Sequence, residues 1–418
     1  MLFRSTVCLT LSALFLVSTH TSHAGDWPQI LGAQRDGIAV NETLLKEWPN
    51  SGPVEIWQTA VGQGFAGVAV KNDVVYAFHR VGRSEIVEAL NAVNGKSIWK
   101  KEFPCSYRGG FSSDAGPRCV PMVTADRVFV FGVEGVLRCL DSTDGKEVWN
   151  RDTAKDFPSP DSYFGAGSTP VLHDDMLIVN VGGRNNAAVV AFSATDGKTV
   201  WKSFADAASY SSPVVADVNG ISHALFVTRF NVVSLDPASG DVHFRFPFGM
   251  RGPTVNGANP VVVGDHLFVS SSYRVGSAWA KIGDDATEPT MSGEKLLATQ
   301  YATPIRQGDL LFAVDGRQDT GPASASIKCI DPSEQKVLWK KSGFDYGTMI
   351  GVNQELIFLT FGGEVLRIAA DSSQYREHHR SRVLELTPRG YRLPAISNGR
   401  LFVRDDRVLK CLQVGESS

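Results

Sequence analysis

The residues of this 418-residue chain best suited to chemistry are arginines and tyrosines in short polar segments. Arg80, Arg184, Arg229, Arg274 and Arg317 fall in five comparable segments, with Arg83 beside the first. Arg108, Arg118, Arg251 and Arg389 occupy a second set, close to Phe111, Tyr163, Tyr210, Tyr301, Tyr346 and Tyr391. A guanidinium is a planar fork of donors that matches a carboxylate, and tyrosine is a rigid amphipathic ring. The chemistry these types suggest is recognition of an anionic group, such as a carboxylate-bearing peptide or saccharide, or of a partner protein. Acid–base or nucleophilic catalysis has no comparable support. His79, His173, His243, His266 and the pair His378-His379 have no partners at spacings that build a triad or a metal set.

The elements that position these segments are written in a repeat. Asn94-Gly95-Lys96-Ser97-Ile98-Trp99 recurs as Asp144-Gly145-Lys146-Glu147-Val148-Trp149, as Asp196-Gly197-Lys198-Thr199-Val200-Trp201 and, more loosely, as Gln335-Lys336-Val337-Leu338-Trp339. With Trp57 as a first copy and Phe244, Leu297 and Leu386 as degenerate ones, the period is about 47 residues, the range of propeller blades. One unit reads as four short antiparallel strands. Val120-Pro121-Met122-Val123 begins the inner strand, and Val128-Phe129-Val130-Phe131 is a second strand apolar on both faces. Val136 to Asp141 is the third, and the outer strand ends at Trp149. Polar first turns such as Asn72-Asp73, Asp174-Asp175 and Asn398-Gly399 suit positive φ. Prolines such as Pro170, Pro213, Pro260 and Pro304 open inner strands, where no ladder donor is lost. The eighth copy stops after Cys411, so Pro53-Val54-Glu55-Ile56-Trp57 is expected to supply its outer strand and close the ring. The segment from Asp371 to Arg382 reads as an exposed hairpin insertion of blade seven. Loops between blades, and loops joining second to third strands, share one face. The arginines and tyrosines are therefore expected on one face around the central channel.

Residues 1–24 read as a secretory signal, with Arg4 before the apolar Val7 to Val17 and a small-x-small cleavage site at Ser22-His23-Ala24. The mature chain would begin at Gly25. About 11 apolar residues are too few to span a bilayer of about 30 Å, so no membrane span is expected. Cys8 lies too early for a lipidation site. The formal net charge of −3 excludes a general nucleic-acid binder. The domain reading is a signal at 1–24, an N-terminal extension at 25–52, a propeller at 53–414 and a tail at 415–418, in a secreted, periplasmic or extracellular monomer.

Cys139, Cys329 and Cys411 occupy the third-strand place taken elsewhere by Ala89, Ala191 and Ser234, which marks them as small core residues. Cys105 and Cys119 flank one loop; a bridge between them would close about 15 residues and contribute about 3 kcal/mol. Asp141 and Asp144 lack the alternating ligands of a calcium loop.

The segment Leu140-Asp141-Ser142-Thr143-Asp144-Gly145-Lys146-Glu147-Val148-Trp149 resembles the repeat of the PQQ-like β-propeller family, across essentially the whole of 53–414. The opening from Asp26 to Gly37 resembles the segment that precedes such propellers in exported bacterial proteins. The resemblance implies an all-β, eight-bladed propeller of BamB-like architecture. Its function follows one of two lines: a non-catalytic scaffold, or a quinoprotein dehydrogenase binding PQQ and Ca²⁺. The enzymes of that second line stack the quinone between a tryptophan and a ring of two adjacent cysteines, and often add Cys-x-x-Cys-His. This chain has no adjacent cysteines and no such haem motif, and Trp279 is its one tryptophan in a blade away from the repeat position. The expectation is therefore a binding or scaffolding propeller without cofactor, metal or catalytic residues.

Overall fold

A strand covered on both faces reads as an unbroken apolar run, and such runs form the second strands of this protein. The structure is a computed structural model that describes residues 25–110, 114–159, 164–252, 254–283, 288–385 and 393–416. The chain forms eight four-stranded antiparallel sheets, one with an added parallel edge strand, as the eight-bladed propeller the repeat predicts. Blade one consists of Val68–Lys71, Val74–Val81, Ser84–Asn91 and Ser97–Pro104. Blades two to seven occupy 122–152, 171–203, 214–247, 261–292, 305–344 and 347–382. Blade eight takes Ala395–Ser397, Arg400–Arg404 and Val408–Gln413 from the end of the chain and Val54–Ala60 from its beginning. Trp57 stands opposite Cys411, so the ring closes as the orphan copy predicts.

One row of residues crosses each of the regular blades. It runs from an apolar residue on the second strand through a small residue to a tryptophan: Tyr76, Ala89 and Trp99, then Phe129, Cys139 and Trp149, and later Phe312, Cys329 and Trp339. The small third-strand residue leaves room for the indole, which accounts for three of the cysteines. The residue before each tryptophan is an extra one in the ladder: Ile56, Ile98, Val148, Val200 and Leu338 are β-bulges. A bulge twists the edge and re-aims the side chain that follows it.

That side chain docks on the next blade. Nε1 of Trp57, Trp99 and Trp149 donates to the carbonyls of Ala92, Ser142 and Ala194 at 2.9 Å, and that of Trp201 to Pro237 at 3.2 Å. The ring lies on the glycine of the same turn. A Cβ at Gly95, Gly145, Gly197 or Gly240 would come within 2.5 to 2.7 Å of the indole of the preceding blade. These glycines also have φ of 70 to 79°. The position thus needs glycine twice, for its backbone and for its missing side chain.

Degenerate copies are compensated in space. In blade five Thr290 holds the outer place and the bulk moves inward to Trp279, stacked on His266 with centroids 4.7 Å apart. Leu297, expected on that outer strand, lies beyond it, because Thr290–Ser292 ends in the short helix Gly293–Leu296. With no indole arriving from blade five, the next turn carries Gln335 at φ 51° where others have glycine. In blade seven Arg367 and His379 take the third- and fourth-strand places. Trp48 of the N-terminal extension packs edge-on against His379 and donates Nε1 to the Val414 carbonyl of blade eight at 2.9 Å. Glu377–Arg382 is therefore the outer strand of blade seven and not an inserted hairpin. Its polar character fits a solvent-facing edge. Leu386 lies outside the described residues.

A second ring of contacts surrounds the axis. Val120 N donates to Thr169 Oγ1 (3.0 Å), Thr169 N to Ser212 Oγ (2.9 Å), Ser212 N to Asn259 Oδ1 (2.8 Å) and Asn259 N to Thr303 Oγ1 (2.9 Å). Each acceptor directly precedes a strand-opening proline. The N-terminal extension laces the inner strands of blades one, three and seven. Trp27 and Val70 exchange backbone hydrogen bonds at 2.8 Å, and Arg35 donates to the Thr169 and Pro170 carbonyls at 3.0 and 2.9 Å. Ile38–Ala39 pairs in parallel with Gly347–Val352.

The docking of indole on glycine predicts an asymmetry between two turns. Gly197→Ala adds a Cβ that strains a positive-φ residue and displaces Trp149, and should lower unfolding free energy by about 2 kcal/mol or more. Gln335→Ala, at the turn that meets no indole, should change it by less than about 0.5 kcal/mol. Urea unfolding followed by tryptophan fluorescence checks both, and equal effects would contradict the packing described.

Candidate functional site

Loops that bind no neighbouring strand still have carbonyl groups to satisfy, and arginine is the side chain with most donors to offer. This divides the predicted arginines into two kinds. Arg80 is buried and donates to the carbonyls of Gly82 (3.0 Å), Ala115 (2.8 Å) and Cys105 (3.2 Å). Arg118 is also buried and reaches the carbonyls of Gly116 and Asp114, with Phe65 and Tyr107 against its plane. Arg229 donates to the Gly252 carbonyl at 2.6 Å and lies over the Phe230 ring. Arg317 pairs with Asp319 at 3.0 Å and lies over Tyr273. Arg184 and Arg274, by contrast, are exposed, as are Arg83, Arg108 and Arg251. Arg80 and Arg118 thus staple loop backbones together, while Arg184 and Arg274 stand in solvent.

The tyrosines are likewise engaged. Tyr210 Oη accepts from Phe164 N at 2.8 Å, and Tyr301 Oη donates to Gln318 Oε1 at 3.0 Å. Tyr346 Oη accepts from the backbone N of Gln300, Tyr301 and Ala302 and shares a proton with Thr299 Oγ1. Burial raises its pKa to about 12, so it remains a phenol at any physiological pH. Phe111, Tyr163, Arg389 and Tyr391 lie outside the described residues, as does the signal segment 1–24.

Over blades two to four the loop face opens into a cavity of about 500 Å³, which sequence reasoning does not find. Its polar wall includes Tyr107, Glu134, Asn180 and Arg229; its apolar wall includes Phe131, Val133, Val181 and Val255. Small residues, among them Ala154, Ala166, Ala207 and Ala208, create the room. Asn180 is 2% exposed and donates Nδ2 to Ser209 Oγ at 3.2 Å. Its Oδ1 is buried without a hydrogen-bond partner, and the Oη of Tyr107, beside the Gly110 backbone N–H, has no acceptor for its proton. The one hint in the sequence is that Asn180 interrupts the apolar run of Met176–Gly183.

The central channel is smaller, about 120 Å³, and mostly apolar. Ile30, Leu31 and Leu393 lie toward one end, with Phe65, Phe164, Tyr210, Tyr273 and Tyr301 among its other lining residues. Its volume is below the range of about 300 Å³ or more typical of sites for drug-sized ligands. The one guanidinium there, Arg118, already holds two carbonyls. Trp279 is stacked on His266 within blade five and does not line the channel. Among the described residues no group of three or more His, Cys, Asp or Glu is placed to hold a metal ion, and no helix is long and apolar enough to cross a membrane.

Comparison with known proteins agrees with this architecture. Residues 47–160 and 83–341 match the family model described as outer membrane protein assembly factor BamB. The chain is 24% identical over 290 residues to that factor from Burkholderia pseudomallei, covering 66% of this chain and 69% of the relative. It is 32% identical over 131 residues to quinohemoprotein alcohol dehydrogenase ADH-IIG of Pseudomonas putida, covering 30% of this chain and 18% of the enzyme. In structure it superposes on BamB from Moraxella catarrhalis with a TM-score of 0.62 at 15% identity, over 86% of this chain and 99% of the other. The quinohemoprotein alcohol dehydrogenase of Comamonas testosteroni gives 0.65 at 12% identity, over 94% and 81%. At such identities the structural likenesses speak for the fold alone.

The bridge considered between Cys105 and Cys119 is not present in the structure. Cys105 and Cys119 are both free, as are Cys139, Cys329 and Cys411. The Cys119 sulfur is committed elsewhere, accepting from Phe131 N at 3.4 Å and donating to the Val120 carbonyl at 3.2 Å. Burial pushes the thiols up, Cys105 to about 11 and Cys119 to about 12. The folded protein should therefore react slowly with a disulfide reagent at pH 8, where the thiolate is scarce. After denaturation without reductant, residues 25–418 should yield five thiols; a count of three would establish the bridge that the structure lacks.

Proposed function

We propose, starting from the fact that this chain belongs to the PQQ-repeat propeller family described as outer membrane protein assembly factor BamB, that it is an exported scaffold which holds a partner protein on its loop face. The observation that carries this reading is the contrast between stapled and exposed side chains on that face. Arg184 on blade three, Phe230 on blade four, Met250 and Arg251 after it, and Arg274 on blade five are exposed on consecutive blades. Phe230 and Met250 are each 37% exposed, on loops joined by the bond from Phe248 N to the Phe230 carbonyl at 2.9 Å. Aromatic residues, methionine and arginine are the types enriched at the centres of protein interfaces.

The export reading rests on residues 1–24 and agrees with the names of the relatives, which are outer membrane protein assembly factors. A quinone-dependent oxidoreductase is the alternative supported by the Pseudomonas putida match. It finds no suitable donor set in the channel, and the matched segment is less than a fifth of that enzyme.

The double substitution Arg184→Glu with Arg274→Glu tests the scaffold reading. Both side chains are exposed and distant from the blade cores, so melting temperature should be unchanged. Retention of envelope proteins from the source membrane fraction should fall at least tenfold, while Lys198→Glu on the outer rim should leave it intact. Retention unchanged by the loop-face pair, or lost equally in the rim variant, would count against the loop face.

A further inference from the structure

We infer that the cavity over blades two to four is a binding site for a peptide carboxylate. This inference deepens the scaffold reading and rests on it. The polar groups of the cavity form a complementary set. Asn180 Oδ1 is an acceptor that lacks a donor, and Tyr107 Oη, which has the Gly110 backbone N–H beside it, has no acceptor for its proton. A buried polar atom without its hydrogen bond is a cost to the free protein, which is recovered when a ligand satisfies it. A bound peptide supplies both, a backbone N–H for Asn180 and a backbone carbonyl for Tyr107. Arg229 contributes the cation. Its Nη2–H bond to the Gly252 carbonyl and its stacking on Phe230 hold the fork in one orientation before a ligand arrives.

The remaining wall distinguishes a peptide from a saccharide. Phe131, Val133, Val181 and Val255 offer apolar surface beside small residues, which suits an aliphatic side chain next to the carboxylate. Sugars are held by open aromatic faces, and the Tyr210 ring is instead turned edge-to-face against Phe164 at 5.7 Å. Glu134 lines the blade-two side of the cavity, away from Arg229 on blade four, and accepts from Ser106 N at 3.0 Å. A free amino group of a short peptide would meet it there, whereas the end of a longer chain would continue outward past it. About 500 Å³ is within the range of small-ligand sites and holds only a few residues.

The test uses the whole processed protein and fluorescence anisotropy of a labelled hexapeptide ending in alanyl-alanyl-valine, as free acid and as carboxamide. Unlabelled alanyl-alanyl-valine, with free or acetylated amine, and digalacturonate serve as competitors. The free acid should bind at least tenfold tighter than the carboxamide, and Arg229→Lys should weaken the acid more than the amide. Tyr107→Phe removes a hydroxyl whose proton has no acceptor in the free protein, so it should change melting temperature little and weaken binding about fivefold. Ala154→Phe, at an exposed wall position, should block the cavity without disturbing the fold. A free amine that tightens the tripeptide supports capture of short zwitterionic peptides; indifference to acetylation supports capture of a chain end. Equal binding of acid and amide, displacement by digalacturonate at lower concentration than by tripeptide, or no peptide binding by folded protein would overturn the assignment. Envelope-protein retention is read on the same preparation. Retention without peptide binding therefore overturns the cavity assignment alone, and loss of retention by the wild type removes the scaffold reading.

Discussion

The rest of the molecule depends on one contact, the indole of Trp57, Trp99, Trp149 or Trp201 lying on the glycine of the next blade's turn with its N–H on a carbonyl of that turn. A blade is a two-faced sheet that cannot bury itself alone, so the ring exists only if each copy finds its neighbour in one register. The bulge before each tryptophan turns the indole outward, the small third-strand residue gives it a bed, and the missing Cβ of the turn receives it. The same logic explains the exceptions. Blade five has no indole at its outer place and the next turn has no glycine, and blade seven borrows Trp48 from the N-terminal extension.

This arrangement separates stability from recognition. The repeat at the rim and the hydrogen-bonded ring of Thr169, Ser212, Asn259 and Thr303 at the axis hold the blades together. The N-terminal lacing closes one end of the channel. What remains is the loop face, where some arginines tie down backbone carbonyls and others stand in solvent. Stapling by Arg80 and Arg118 keeps these loops in place without secondary structure of their own. Fixed loops are what a binding surface requires, since ordering them on association would consume affinity.

How far this was readable beforehand follows from which signals are periodic. The blades, the ring closure by Trp57 and the small-residue role of Cys139, Cys329 and Cys411 all repeat along the chain, so pattern alone reveals them. The misread places are those where a blade solves its packing with a distant segment. Nothing local marks His379 as the successor of a tryptophan, because its partner Trp48 lies in the extension. The fork of Arg80 looks like that of Arg184 in sequence, and only the nearby carbonyls distinguish them. Tyr107 and Asn180 lie far apart in sequence and line one cavity only in the folded ring. The serine, threonine and asparagine before the strand-opening prolines were visible, but their meaning needs the neighbouring blade.

The central claim is that the rim is structural and the loop face is where partners bind. Hydrogen–deuterium exchange of the protein with and without a retained envelope partner tests it most directly. The account predicts new protection in the loops of blades three to five, around 184–186, 228–231 and 248–252, with the outer strands Ser97–Pro104 and Lys336–Phe344 unchanged. Protection confined to those outer strands would mean that the partner pairs with a blade edge, and would contradict it.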